Sequence, residues 1–276
     1  MKALVSRIWG ETDGRLGLVL TLAILAFAVL GPLLAGDPNK IDVTSRFLGP
    51  SVQHLLGTDN LGRDQFARVS SGTRTAFFYA LVIIGMAGLA GSVLGITMGM
   101  IGGWTDRVGT AVFDIASSFP PLIFAFGLIA LYGSSPAVFI ALAAVVFTPS
   151  FGRAARARAL SLRNQSFVEA ERLLGVPPVR IMRAHILPNV FPAILVMGSM
   201  LIPSVITFEA GLSFLGLGVK PPASSLGTII KEGYQFLNQS PWTAINACVV
   251  LAIATLGSTL LGEALRRALD PKVSIR

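Results

Sequence analysis

The sequence predicts an all-α integral membrane protein, a bundle of six transmembrane helices with both termini in the cytoplasm. Of its 276 residues, 53% are hydrophobic and only 13% are charged, and the mean hydropathy is +0.71. A soluble domain carries about 25% charged residues, so this chain has too few charges to cover a water-facing surface. Long uncharged runs recur along it, close to the ~20 apolar residues that a helix needs to cross a bilayer.

Six apolar runs are separated by polar segments or turns. The predicted spans are about 16–35, 75–103, 108–132, 137–154, 190–216 and 242–262. A turn cluster at 133–136, Gly-Ser-Ser-Pro, divides the third from the fourth. No connecting segment reaches the ~50 residues of an independent domain, so residues 1–276 are predicted to form a single transmembrane domain.

The first run follows three basic residues, Lys2, Arg7 and Arg15, and in isolation it has the composition of a signal peptide. No clean small-x-small cleavage site ends this run, and five further spans follow it. We therefore interpret it as an uncleaved first helix.

The distribution of basic residues predicts the orientation of the bundle. With the termini inside, the inner segments hold 15 of the 22 Lys and Arg residues. Positive residues are retained on the cytoplasmic side of membrane proteins. The net charge of +8 is thus explained by topology, and a nucleic-acid partner is not needed to account for it.

Four glycines in the second span recur at intervals of four residues: Gly91, Gly95, Gly99 and Gly103. Small residues at this spacing lie on one helix face and let a neighbouring helix backbone approach closely. The pattern predicts tight helix packing inside the bundle.

The sequence lacks the motifs of the common hydrolytic and metal sites. The single cysteine, Cys248, has no partner for a disulfide. The two histidines, His54 and His185, fall on opposite sides of the predicted membrane, and none of the five lysines follows a glycine as a P-loop requires. We expect no enzyme activity, no metal site and no cofactor bound by this chain.

Two acidic residues lie inside predicted spans, where ionisable side chains are costly and usually face a cavity or a partner. Glu209 lies in the fifth span and Asp114 in the third. Each is a candidate for lining a translocation path. The alternative for Glu209 is a structural role, in which its carboxylate binds an arginine, a Ser or Thr hydroxyl or the backbone inside the bundle. The alternative for Asp114 is a local ion pair with Arg107 at the end of the helix.

The inner segment 155–189 is the most basic part of the chain. Apolar residues at three- and four-residue spacing predict a short helix ending near Leu174, and Gly175 with Pro177 and Pro178 stops it. A second short helix is predicted from Val179 to Leu187, ending before Pro188. Such a pair cannot bury its apolar side alone, so it lies either on the lipid surface or against another protein.

These inner residues resemble a known motif. Glu169, Ala170, Glu171, Gly175 and the run 185–189, HILPN, resemble the cytoplasmic EAA loop of binding-protein-dependent ABC importer permeases. The third position departs from the family pattern, because Glu171 stands where the family has alanine.

Three further stretches are similar to the second-type permease subunit of peptide and nickel importers. They are HLLGTDNLGRD at 54–64, FEAGLSFLGLGVKPP at 208–222 and LLGEALRRALDPK at 260–272. The resemblance covers nearly the whole chain from Leu16 onward.

The resemblance implies a bacterial inner-membrane permease that pairs with a homologous permease chain, two cytoplasmic ATPases and an external substrate-binding protein. ATP and Mg would be bound by the ATPases. The residues implied to couple the permease to an ATPase are Glu169, Ala170, Glu171, Arg172, Gly175, His185, Leu187 and Pro188.

The substrate expected from the resemblance is a di- or oligopeptide. Nickel or a nickel-chelate complex remains an alternative, because that branch shares the motifs and a complex carried whole needs no metal cage. A secondary transporter is a distant alternative, since it would need charged relay residues in several spans.

Overall fold

The computed structural model describes residues 8–269, and the regular structure in this range is helical. Lys2, Arg7, Lys272 and Arg276, which entered the charge count, lie outside it, as does the end of the tail motif from Asp270. The helices are α1 (Thr12–Leu34), α2 (Gln65–Ile101), α3 (Gly103–Ser118), α4 (Pro121–Tyr132), α5 (Pro136–Arg163), α6 (Ser166–Leu173), α7 (Pro178–Ile181), α8 (Leu187–Phe214), α9 (Leu226–Gln235) and α10 (Trp242–Leu269), with a 3-10 turn at Val43–Ser45 and a π-helical turn at Met182–Ile186.

Five of the predicted spans are single helices, and the third is broken. Helices α1, α2, α5, α10 and the unit Pro178–Phe214 are each long and apolar enough to cross a membrane. The predicted span 108–132 consists instead of α3 and α4, which meet at 89° and make a sixth crossing only if the bent pair counts as one. The break follows from Pro120, because a residue that precedes proline is driven out of the helical region, and Phe119 is extended.

The helices extend further than the apolar runs that predicted them. Helix α2 begins at Gln65 rather than near 75, and α5 continues to Arg163 rather than ending near 154. At 1.5 Å per residue, the 37 residues of α2 measure about 55 Å, more than the ~30 Å hydrocarbon core. Hydropathy therefore located the spans but missed their polar ends.

The close packing predicted for the glycines of α2 occurs against α5. A Cβ atom at Gly91 would lie 2.6 Å from the carbonyl oxygen of Thr148, and one at Gly99 would lie 2.9 Å from the Cβ of Ala159; Gly95 sits in the same seam against Gly152. The two backbones are thus too close for any larger residue at these positions.

Gly103 is an exception to the predicted packing. Helix α2 ends at Ile101, and Gly103 begins α3 with a φ of +61° and open space where a Cβ would be. The four-residue spacing continues past the end of the helix, so the periodicity no longer corresponds to a helix face at this residue.

The first and last spans lie side by side, so both ends of the described chain are at one end of the bundle. A Cβ at Gly17 would lie 2.8 Å from the Cβ of Leu260. Arg267, near the end of α10, pairs with Glu11 at 2.7 Å and Asp13 at 3.3 Å, just before and inside α1. This placement agrees with an even number of crossings.

At the opposite end of the bundle, a buried cluster of four charged residues fixes the segment between α1 and α2. The carboxylate of Asp59 accepts hydrogen bonds from Arg63 Nε at 2.6 Å and Arg68 Nη1 at 2.7 Å. Glu232 of α9 binds both arginines, at 2.8 and 2.6 Å. The side chains of Asp59 and Arg68 are only 1% and 4% exposed.

Two aspartates, Asp59 of this cluster and Asp64, explain much of the motif at 54–64. Asp59 also accepts the backbone N–H groups of Leu61 and Arg63 through its other oxygen. Asp64 caps α2 by accepting the N–H of Ala67 at 3.0 Å, and its second oxygen lies 2.8 Å from His54 Nδ1. The acidic residues of the motif thus build a loop and begin a helix.

The first prediction concerns orientation. In a Cys248→Ser background, Ser51→Cys should react with an impermeant thiol reagent added outside the cell, whereas Ser161→Cys should react only after permeabilisation. Both serines are exposed, and they lie at opposite ends of the bundle. The opposite labelling pattern would contradict the orientation predicted from the basic residues.

The second prediction concerns the cluster of Asp59, Arg63, Arg68 and Glu232. Asp59→Asn should lower the midpoint of thermal unfolding of the solubilised protein, because removing one partner of a buried ion pair typically costs about 3–5 kcal/mol. The control is Asp37→Asn, the same change at an exposed aspartate of the same segment. Equal midpoints for the two variants would show that the cluster does not stabilise the loop.

Candidate coupling segment and translocation path

Helix α6 ends in a left-handed glycine turn. Gly175 has a φ of +74°, which costs a glycine little and other residues more. Its N–H donates to the carbonyl of Arg172, and the N–H of Val176 donates to the carbonyl of Glu171, both at 3.0 Å. This is the hydrogen-bond pattern of a Schellman motif, and it confirms that Gly175 makes the turn between the two short helices.

The second short helix does not stop before Pro188 as predicted. Helix α7 passes through the π-helical turn 182–186 directly into α8, so 178–214 is one unit. In the π turn the N–H of Leu187 donates to the carbonyl of Met182, five residues earlier. The wider turn immediately precedes Pro188, which lacks the N–H that a continuous α-helix would use. Pro188 is therefore accommodated near the start of α8 and does not terminate it.

Apolar contacts hold the inner segment against the rest of the protein. Val168 of α6 and Ile181 of α7 are fully buried, as are Ile186 of the π turn and Val190 of α8. They belong to one cluster with residues of α2 and α5: Ile96, Met100, Ala155, Ala159 and Leu162. The inner ends of the glycine-packed pair α2 and α5 therefore support α6 and α7.

A close contact between a carboxylate and an imidazole joins α6 to the π turn. Glu171 Oε1 lies 2.7 Å from His185 Nε2, and the ring of Phe167 packs edge-on against the imidazole at 5.9 Å. Glu171 is the residue at which this chain departs from the alanine of the EAA pattern. Its carboxylate contacts His185 of the same chain. A glutamate at this position therefore links α6 to the π turn, which an alanine could not do.

The outward face of the segment is apolar and uncovered in the described chain. Leu173 and Leu174 are 85% and 81% exposed, and Val179 is also largely exposed. Six of the predicted coupling residues are exposed as well, and only two, Glu171 and His185, are partly covered. The exposed six are Glu169, Ala170, Arg172, Gly175, Leu187 and Pro188.

Glu209 is not on an open path in this structure. Its side chain is fully buried among the described residues. Oε1 accepts a hydrogen bond from the Ser213 hydroxyl at 2.6 Å, and the Ser213 oxygen accepts the N–H of Val219 at 3.0 Å. These contacts correspond to the structural alternative for Glu209, because they tie the end of α8 to the loop that follows it.

Asp114 is accessible, and its partner is not the local arginine expected from the sequence. Its Oδ1 lies 3.5 Å from Nη1 of Arg153 on α5, and Nη2 of the same arginine donates to the Ser117 hydroxyl at 2.9 Å. One turn along α5, Arg156 makes two hydrogen bonds to the carboxylate of Asp106, that from Nη2 to Oδ2 at 2.6 Å. Both arginines were counted from the sequence only as cytoplasmic charge. Their partners were missed because they lie far away along the chain.

A wide apolar cavity of about 700 Å³ opens between α2 and α8. Ile84, Gly88, Phe151, Ile194 and Gly198 are among the residues that line it. It contains no charged side chain, so it does not bring the two acidic candidates together.

Comparison with known proteins places the chain in a family. Residues 91–275 match the family described as the binding-protein-dependent transport system inner membrane component. The chain belongs to this family. It is therefore a multi-pass permease component of the bacterial inner membrane, and it functions in transport together with other subunits.

Several permeases are similar over about 85% of their length. The dipeptide transport system permease protein DppC of Alkalihalophilus pseudofirmus is 33% identical over 93% of this chain and 85% of the relative. The probable D,D-dipeptide transport system permease protein DdpC of Escherichia coli K12 is 34% identical, over 92% and 86%. The glutathione transport system permease protein GsiD of Pectobacterium atrosepticum is 35% identical, over 92% and 85%.

The fold of the permease is also found in a solved structure. A chain of the MetNI methionine ABC transporter in an inward-facing conformation superimposes with a TM-score of 0.53 over 71% of this chain and 95% of that chain, at 20% identity. At this identity the similarity supports the fold alone.

The third prediction concerns Glu209. Glu209→Gln retains an acceptor for Ser213 and should assemble at a yield close to wild type. Glu209→Leu removes that acceptor and leaves the buried Ser213 hydroxyl without it, which typically costs about 1–3 kcal/mol, so this variant should assemble poorly. Uptake per assembled complex should be unchanged in both.

Complex yield and uptake are measured together to separate the two roles of Glu209. Ser213→Ala is the control, because it removes the donor and should reproduce the low yield of Glu209→Leu. A normal yield of Glu209→Gln with altered substrate preference would instead place Glu209 on the path.

Proposed function

We propose that this chain is a permease subunit of an ATP-driven, binding-protein-dependent importer of di- or oligopeptides. It would form half of the translocation path together with a homologous permease chain, and two cytoplasmic ATPases would drive it. The relatives named for dipeptides, D,D-dipeptides and glutathione support a peptide substrate. The family description itself includes dependence on a binding protein, which separates the chain from secondary transporters. No observation specifically favours the nickel alternative.

The uncovered apolar face of α6 and α7 is the observation that carries the proposal. Exposed leucines such as Leu173 and Leu174 are stabilised when a partner protein removes them from water, by about 1.5–3 kcal/mol for each side chain that becomes fully buried. A groove on an ATPase would provide that cover. The basic residues around this face agree with a cytoplasmic location.

Coupling would proceed through rigid contacts. Closure of the ATPases would move α6, and the Glu171–His185 pair together with the buried Val168 would pass this movement to the π turn. Because α7 and α8 form one unit with the turn, the movement would reach the membrane-spanning part of α8. Alternating access then requires two packing arrangements of the spans whose balance the ATPases change. On this proposal ATP and Mg are bound by the partner subunits.

The fourth prediction tests the coupling face at Gly175. A Cβ at this residue would meet nothing within the chain, so Gly175→Ala costs only the backbone conformation, about 1 kcal/mol. Gly175→Trp adds bulk directed at the partner, and forcing bulk into a packed contact costs typically about 1–3 kcal/mol. In the reconstituted complex, Gly175→Trp should assemble but hydrolyse far more ATP per peptide imported, whereas Gly175→Ala should remain close to wild type.

The matched control is Gly36→Trp. Gly36 has a φ of +76° and equally open surroundings. It follows the C-terminal end of α1, at the end of the bundle opposite to Gly175. This variant should keep the wild-type ratio of ATP hydrolysed to peptide imported. Unchanged coupling in Gly175→Trp would refute contact between this turn and an ATPase.

A further inference from the structure

The break between α3 and α4 leaves non-helical backbone within a candidate membrane crossing. Phe119 and Pro120 are extended, between a helix that ends at Ser118 and one that begins at Pro121. The side chain of Phe119 is 52% exposed, and Ser117, Ser118 and Pro120 are exposed as well. The helices on either side of the break meet at 89°.

Irregular backbone at membrane depth is tolerated only where protein buries it or water surrounds it, because lipid offers no hydrogen bonds. The described part of this chain does not bury the break. If the bent pair crosses the membrane as one span, the break faces either another protein chain or an aqueous path. The charged side chains beside it favour water.

Asp114, Ser117 and Arg153 form an open charged cluster at the break. Arg153 donates one hydrogen bond to Ser117, but its separation from Asp114, 3.5 Å, is too long for a hydrogen bond between the two charges. The side chains of Asp114 and Arg153 are 65% and 46% exposed. Charged residues within membrane segments usually mark a substrate or ion pathway.

The neighbouring ion pair shows what a closed arrangement looks like in the same pair of helices. Arg156 and Asp106 make two hydrogen bonds, and their side chains are only 30% and 18% exposed. That pair uses its hydrogen-bonding capacity to hold α3 against α5. In the Asp114–Arg153 cluster, most of the hydrogen-bonding capacity has no partner among the described residues.

We infer that Asp114, Ser117 and Arg153 form a transient binding site for a zwitterion in the translocation path. Arg153 would receive the carboxylate of the passing peptide, for which its planar guanidinium is suited, and Asp114 would receive the ammonium group. The inference rests on the proposed peptide transport. A loose pair suits such a site, because a path must bind its cargo weakly enough to release it.

Three dipeptide probes test the site in the complete complex, reconstituted in proteoliposomes with its ATPases and binding protein. The probes are dialanine, N-acetyl-dialanine and dialanine amide. Arg153→Gln should reduce uptake of the two probes with a free carboxylate severalfold more than uptake of the amide. Asp114→Asn should reduce uptake of the two probes with a free amine severalfold more than uptake of the N-acetyl probe.

Uptake by each variant is divided by wild-type uptake of the same probe, so the preferences of the binding protein cancel. Arg156→Gln is the control, and it should affect all three probes equally. Equal effects of Arg153→Gln or Asp114→Asn on all three probes would overturn the inference and leave the cluster as a structural brace. Failure of the wild-type complex to import any of the probes would instead contradict peptide transport.

A labelling experiment decides the matter if the blocked probes are not carried. In a Cys248→Ser background, Ser117→Cys should react with a water-soluble thiol reagent in the assembled complex, and saturating dialanine should slow the reaction. The control, N-acetyl-dialanine amide, should not slow it. Absence of reaction, or equal rates with and without dialanine, would overturn the inference.

Discussion

The contact between α2 and α5 supports the rest of the permease. Gly91, Gly95 and Gly99 bring the two backbones together. Because lipid supplies no hydrophobic force to drive helices together, this close van der Waals packing is what stabilises the pair. The inner ends of the pair form the base on which α6 and α7 pack. The same stretch of α5 carries Arg156, which holds α3 through Asp106, and Arg153, which lies beside Asp114 and Ser117. The predicted coupling face and the predicted path thus depend on one seam.

The positions and order of five spans could be predicted from the sequence because each depends on local composition, whereas the third predicted span is the bent pair of α3 and α4. The glycine turn at Gly175 was predictable for the same reason, since turn chemistry is read within a few residues. The break at Phe119 was not inferred, because the apolar run continues across it, although Pro120 and Pro121 were a visible signal. The π turn before Pro188 was missed because the rule that proline ends a helix ignores a wider hydrogen-bond pattern.

The candidate site was harder to predict than the fold because its geometry depends on distant partners. Asp114 was singled out as an ionisable residue in a predicted span, but Arg153, which contacts it, lies 36 residues beyond Ser117 along the chain. Glu209 was singled out by the same rule, and the structure buries it beside Ser213. Composition marks both acids as unusual; only packing distinguishes the exposed one from the buried one.

The π turn at Met182–Ile186 has a consequence for how the chain tolerates insertions and deletions. Each residue of an α-helix rotates the chain by about 100°, so the turn sets the angular phase of everything in α8 relative to α6. Five residues at the wider pitch of a π turn rotate the chain about as far as four residues of an α-helix, so deleting one residue there would restore ordinary helical pitch and leave the inward face of α8, including the buried Val190, close to its present orientation. A deletion in the α-helical part of the unit would instead rotate that face away from its neighbours, so a change in length is tolerated best at this short turn.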